Sequence, residues 1–152
     1  MPEAEPDGWL HPAVEVRASD IAGRGMFATA PIPAHTVVLR LAAAPFGASA
    51  LASLGSGFPN HACDPNLGWL NELALGAITD VPDGTELVVD YAMSIAEPDW
   101  FLRCHCPSYR CRQMVEGGDW RIAQLQQRYD GWWAPHVQRL VDEKQPPVAK
   151  GP

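Results

Sequence analysis

The chain has 152 residues, 47% of them apolar, with six tryptophans and a formal net charge of −7. That length and apolar share suit one domain with its own core. The acidic balance excludes broad nucleic-acid binding, which needs Lys and Arg to neutralise phosphates, and suits a cationic partner. No apolar run approaches the roughly 20 residues of a membrane span. The first stretch, MPEAEPDGW, lacks the basic region and apolar run of a secretion signal. We therefore expect a cytoplasmic protein with no direct nucleic-acid and no membrane partner. In that compartment its four cysteines are metal ligands or free thiols rather than disulfides.

In chain order, residues 1–13 are rich in Pro and acids and read as a loose arm. Val14-Glu15-Val16-Arg17 alternates apolar and polar, the period of a strand. In Ser19 to Ala28, Gly23-Arg24-Gly25 makes a tight turn where a ligand can approach the backbone. It lacks the third glycine and the following helix of a dinucleotide fingerprint. After a turn at Pro31–Ala34, the β-branched run Thr36–Leu41 reads as a strand. Residues 42–57 are Ala/Gly-rich without clear period; a short helix over Ala48–Leu54 fits them.

Next comes Asn60-His61-Ala62-Cys63-Asp64-Pro65-Asn66, NHACDPN, too dense in polar and ligand-forming groups to be built for packing. An apolar segment from Leu67 follows, with a strand at Leu73–Ile78. The turn Val81-Pro82-Asp83-Gly84-Thr85 leads into a strand at Glu86–Tyr91. Then CHCPSYRC supplies Cys104, Cys106 and Cys111 within one loop. A structural zinc site takes four ligands. The remaining cysteine is Cys63, so the economical set is Cys63, Cys104, Cys106 and Cys111, with His61 or His105 as alternative fourth ligands. The last third is helical in pattern. Asp119 can cap a helix carrying Ile122, Leu125 and Tyr129, Asp130-Gly131 ends it, and Pro135 opens a second with Val137, Leu140 and Val141 on one side. Trp120, Trp132 and Trp133 read as core anchors.

Taken together and in order, GRGMFA, NHACDPN, ELVVDYA and CHCPSYRC resemble the GxGLFA, NHSCxPN, ELxxDYG and CxCxxxxC patterns of SET-domain protein lysine methyltransferases with a post-SET zinc module. Ala62 stands for the usual Ser and Ala92 for the usual Gly. The resemblance covers residues 14 to about 115, and GGDWRIAQLQQRYDGWWAPHVQRLV is similar to the C-terminal extension of small bacterial SET proteins. It implies a mainly β, β-clip-like SET-domain fold of several small curved sheets with a knot-like crossing, followed by C-terminal helices. The implied organisation is an N-terminal arm (1–13), a SET core (14–98), a post-SET zinc module (99–115), C-terminal helices (116–143) and a disordered tail (144–152).

The resemblance also implies S-adenosylmethionine and Zn2+ as cofactors, and a lysine-containing basic protein or peptide as partner; a homodimer stays open. Carried over residue by residue, the backbone around Arg24, Gly25 and Met26 holds the methionine end of the cofactor, and Asn60 and His61 its adenosine end. Tyr91 is the active-site tyrosine, Trp100 and Phe101 are candidate walls of the lysine channel, and the four cysteines bind zinc. Asp90 has a structural role. Glu86, Asp90, Glu97 and Asp99 are candidate carboxylates for steering a cationic peptide. The segment before NHACDPN is short for the family. That leaves an alternative: a SET-fold module that binds cofactor or peptide with little or no turnover.

Overall fold

A computed structural model describes residues 8–43 and 58–143. The expected helix at Ala48–Leu54 and the expected disordered tail lie outside the described residues, as do residues 1–7 of the arm. The strands are short: β1 (Trp9–Leu10), β2 (Val14–Ala18), β3 (Arg24–Ala28), β4 (Val37–Arg40), β5 (Asn60–His61), β6 (Leu67–Trp69), β7 (Ala74–Ala77), β8 (Glu86–Val89), β9 (Phe101–Arg103) and β10 (Met114–Glu116). Two helices follow, α1 (Ala123–Arg128) and α2 (Pro135–Asp142). The class is mainly β with C-terminal helices, as the motifs imply.

The main sheet runs β1-β4-β7-β6-β8-β3-β2, and β5 also pairs β8. Its first member corrects the loose-arm reading: Trp9 and Leu10 pair with Arg40 and Leu39, so the arm's last residues belong to the sheet. β2 and β3 pair antiparallel with Val14 opposite Ala28 and Val16 opposite Met26. β8 lies at the centre. Its Leu87, Val88 and Val89 are all buried, so the run is apolar without alternation, as a strand covered on both faces must be. β3 flanks it antiparallel, while β5 and β6 both run parallel to it, Asn60 opposite Val88 and Leu67 opposite Val89. NHACDPN therefore lies along β8. Asn66 closes the gap between β5 and β6 with its side chain, donating to the Glu86 carbonyl and accepting from the Val88 N–H, both at 2.9 Å. β9 and β10 form a separate two-stranded ribbon carrying the cysteine loop.

The expected strand Glu86–Tyr91 stops at Val89. Asp90 turns its carboxylate back to accept the Ala92 N–H at 2.9 Å and opens a 3-10 turn at Tyr91–Met93. Such local side-chain bonds are how Asp ends regular structure. Asp119 also departs from expectation. It starts a 3-10 turn (Asp119–Arg121), and α1 begins only at Ala123, without a side-chain cap. Pro135 does open α2.

The C-terminal segment is part of the same core. Leu125, Tyr129, Trp133 and Val137 pack in one cluster with Leu67, Trp69, Leu75 and Val89. Trp120 and Trp133 are buried anchors as expected. Trp132 is half-buried and lies over Gly68: a Cβ there would come within 2.6 Å of the indole. The Trp132 carbonyl accepts the Trp69 N–H at 2.9 Å, and its ring stacks on His35 at 5.6 Å. A second, smaller cluster gathers Ala62, Val88 and Val115 around Cys63, Cys104 and Cys106.

Candidate active site and metal centre

Three of the four motifs converge on one place. Asn60, at the start of β5, points its amide nitrogen at the loop before β3. It lies 3.0 Å from the Ala22 carbonyl, 3.2 Å from the Arg24 carbonyl and 3.1 Å from Ser19 Oγ. The same nitrogen is 2.9 Å from Glu86 Oε2, and Ser19 Oγ donates to the Glu86 carboxylate at 2.8 Å. Two N–H bonds shared among four acceptors make this side chain a brace. Gly23 takes the left-handed conformation of the turn, with φ +42°. Gly25 serves space instead, since a Cβ there would strike the Glu86 carboxylate and crowd Asn60. The Arg24 side chain is exposed and donates to the Val16 carbonyl at 3.2 Å. Met26 is buried, and its backbone sits between Val16 of β2 and Leu87 of β8. The β3–β8 pairing covers Met26 and Phe27 only, so the main-chain edge at Arg24 and Gly25 lies outside it.

His61 is 4% exposed, and both ring nitrogens are engaged. The Tyr91 backbone N–H donates to Nδ1 at 3.0 Å, which places the ring proton on Nε2, 3.4 Å from Cys63 Sγ. Burial holds the imidazole below its usual range, against the opposing pull of Asp90. A neutral ring thus donates toward the Cys63 sulfur, and only the main chain of His61 is left to hold another group.

Tyr91 follows directly. Its hydroxyl donates to the Pro59 carbonyl at 2.7 Å. Its ring lies 5.3 Å from His61, 5.9 Å from Phe58 and 6.4 Å from Trp100, and Phe58 in turn stacks on Trp69 at 5.9 Å. Burial, and then the Glu86 charge, keep the phenol above its ordinary range, so it is neutral at any working pH. Of the two expected channel walls, Trp100 stands beside Tyr91, whereas Phe101 is 63% exposed on β9. Sequence reasoning missed Phe58 and Trp69, which carry no motif.

The four cysteines come together. Their Sγ atoms all lie within 4.8 Å of one another, with Cys63 and Cys104 at 3.9 Å. Four thiolates about 2.3 Å from one zinc ion stand about 3.8 Å apart, so the donor set fits. The histidine alternatives fall away: His61 is engaged as described, and His105 is exposed. Backbone N–H groups supply the outer hydrogen bonds, Arg112 to Cys63 Sγ at 3.3 Å and Cys106 to Cys104 Sγ at 3.4 Å. Burial pushes the Cys63 thiol up and the Cys104 thiol to about 12. Cys106 goes the other way, because backbone hydrogen bonds outweigh its burial.

Arg112, one residue past the last cysteine, joins this centre to Tyr91. It donates to both oxygens of the fully buried Asp90 at 2.8 and 3.0 Å, and its Nε donates to Asp119 at 2.9 Å. Tyr129 of the C-terminal segment donates to Asp90 at 2.7 Å. Burial alone would raise the Asp90 carboxyl; the Arg112 charge and its hydrogen bonds win and hold it below the usual carboxylate range. Asp90 is therefore structural, as expected, and cannot steer a peptide. Glu86 is turned inward as well, which leaves only Glu97 and Asp99 of the proposed steering group exposed.

A depressed carboxyl contributes stability above its unfolded pKa of about 3.9 and loses it as pH falls through the lower folded value. Asp90→Asn is thus expected to cost about 3 kcal/mol at neutral pH, by removing one of the two carboxylates that hold the buried Arg112 and leaving Asp119 alone to offset its charge. The gap to wild type should narrow below about pH 4. Urea unfolding of both proteins from pH 7 to pH 3 checks this; a gap constant with pH would show that the charge contributes nothing.

No protein-family model matches the chain. Among solved structures it is similar to the crystal structure of KRYPTONITE in complex with mCHG DNA and SAH, at a TM-score of 0.49 and 21% identity, over 69% of this chain and 29% of that one. Three curated relatives match part of the chain. The H3 lysine-9 specific histone-lysine N-methyltransferase KMT1 of Fusarium mangiferae is 34% identical over 77 residues, 38% of this chain. The corresponding dim-5 enzyme of Neurospora crassa is 34% identical over 76 residues, 36% of this chain. Histone-lysine N-methyltransferase ash1 of Drosophila melanogaster is 31% identical over 75 residues, 45% of this chain. The match spans 22%, 23% and 3% of those relatives' lengths, respectively. The relatives bear out the resemblance: over the matched residues the chain is homologous to SET-domain histone-lysine methyltransferases.

Proposed function

We propose that the chain is an S-adenosylmethionine-dependent methyltransferase acting on a protein lysine side chain. The observation that carries the reading is Tyr91, a neutral phenol whose proton is committed to the Pro59 carbonyl at the meeting point of three motif segments. Its oxygen then has lone pairs to spare and accepts an N–H from an incoming amine. A neutral lysine amine has two such hydrogens and one lone pair. Holding a hydrogen at Tyr91 aims the lone pair, and alignment of this kind supplies much of the acceleration in a displacement. The aromatic surroundings, Phe58, Trp69 and Trp100, favour the uncharged amine by desolvation. No general base is required.

S-adenosylmethionine, when bound, supplies the electrophilic methyl group. The residues present fit it. The main chain around Arg24, Gly25 and Met26, beside the Asn60 amide and the Glu86 carboxylate that brace it, would hold its methionine end, and the main chain at Asn60–His61 its adenosine end. The four cysteines hold zinc and tie the post-SET loop to Cys63. The names of two of the relatives give histone H3 lysine-9 as their substrate; here we propose the coarser class, a lysine-containing basic protein or peptide, met in the cytoplasm, where thiolates stay reduced. Mass spectrometry of a lysine-rich peptide array incubated with the chain and the cofactor tests this. Mass increments of one methyl group on lysine are expected. Their absence across the array, with cofactor binding intact, would favour the binding-module alternative.

A further inference from the structure

Glu86 opens β8 and is half-buried. Its carboxylate lies against the Gly25 backbone and takes hydrogen bonds from Ser19 and Asn60. All of these neighbours are uncharged. Among the described residues the ion pairs are Arg17–Glu15, His61–Asp90, Arg110–Asp64 and Arg112 with Asp90 and Asp119, and none involves Glu86. Arg24, the residue before Gly25, is turned to the Val16 carbonyl. The half-buried Glu86 carboxylate is thus held by neutral hydrogen-bond donors. Here it stands beside the loop and the Asn60 strand that the reading above assigns to the cofactor, and its charge reaches Tyr91 as well.

We propose that Glu86 is a specificity-determining carboxylate, which makes this site prefer the positively charged methyl donor over its neutral demethylated product. The proposal rests on the methyltransferase reading. S-adenosylmethionine and S-adenosylhomocysteine differ by one methyl group and by the positive charge on sulfur. A fixed negative charge near the site stabilises the first and does little for the second. The same preference clears product from the site after transfer, because the charge that held the donor is lost with the methyl group. The hydrogen bonds to Ser19 and Asn60 fix where the carboxylate stands; its charge does the selecting.

The test is isothermal titration calorimetry of the zinc-loaded chain with each of the two compounds, in wild type, Glu86→Gln, Glu86→Asp and Ser19→Ala. Glutamine keeps an acceptor for Ser19 and Asn60 but removes the charge. The ratio of donor affinity to product affinity should fall about tenfold in Glu86→Gln, as expected for one charge at close range in a partly screened site. Glu86→Asp and Ser19→Ala keep the charge and should hold the ratio near wild type, even where both affinities drop. An unchanged ratio in Glu86→Gln overturns the proposal and reduces Glu86 to a brace. So does an equal fall of the ratio in Ser19→Ala. Should the wild-type chain bind neither compound, the methyltransferase reading fails and takes the proposal with it. Binding of both with a ratio indifferent to Glu86 removes the proposal alone.

Discussion

Chelation of the purified chain is expected to unfold it, not merely to loosen its tail. Cys63, Cys104 and Cys106 form the centre of the smaller core, with Val88 of the central strand packed among them. Without a metal, burial keeps Cys63 and Cys104 protonated, and four thiols crowd a space that a divalent ion fills. Zinc binding to comparable small sites is worth about 10–16 kcal/mol of apparent free energy at neutral pH. A whole domain commonly has a net stability of only about 5–15 kcal/mol. Cys63→Ser should be the most damaging single ligand change, because it strips the ligand held by the central motif. Cys111→Ser, at the half-buried corner, should cost less. Elemental analysis should return one zinc per chain, and thermal unfolding with and without chelator should show a large drop in midpoint. A zinc-free protein that melts at the same temperature with chelator would sink this account.

Tyr91→Phe is expected to lower turnover about a hundredfold while leaving cofactor affinity nearly unchanged. The ring keeps its contacts with Phe58, His61 and Trp100, so the pocket's shape survives. What is lost is the oxygen that aligns the amine, and misplacement of a reacting group by about 1 Å can cost that much. The variant also strands the buried Pro59 carbonyl, at about 1–3 kcal/mol of stability. Melting curves should therefore accompany the kinetics. Wild-type turnover on the methylated peptide would make Tyr91 a packing residue only.

The candidate site was legible where chemistry forces a residue type. Cysteine count and spacing led to the four ligands without a structure, and Gly25 was readable as a place of close approach, although the approaching group is Glu86. The central strand was legible as an unbroken apolar run. Other parts were not, because their meaning is set by tertiary partners. Asp119 has the local look of a helix cap, yet its carboxylate answers to Arg112 and the Glu116 N–H. His61 looks like a free ligand until its two nitrogens are traced to Tyr91 and Cys63. Arg112 carries no signal beyond following the last cysteine, and Gly68 none until Trp132 is seen lying over it.

The Asp90 knot has a consequence for the chain during its own synthesis. The carboxylate leaves the ribosome well before the groups that hold it: the Arg112 cation comes later, and the neutral Tyr129 hydroxyl, which donates to the same oxygen, later still. At about 5–20 residues per second, the gap to Tyr129 is about two to eight seconds. Over that interval β8 can pair with the strands before it, but the turn that frames Tyr91 has no charge partner. A nascent chain is therefore held short of a finished turn around Tyr91 until its last third has emerged, and fragments ending before Tyr129 should be clients for chaperones.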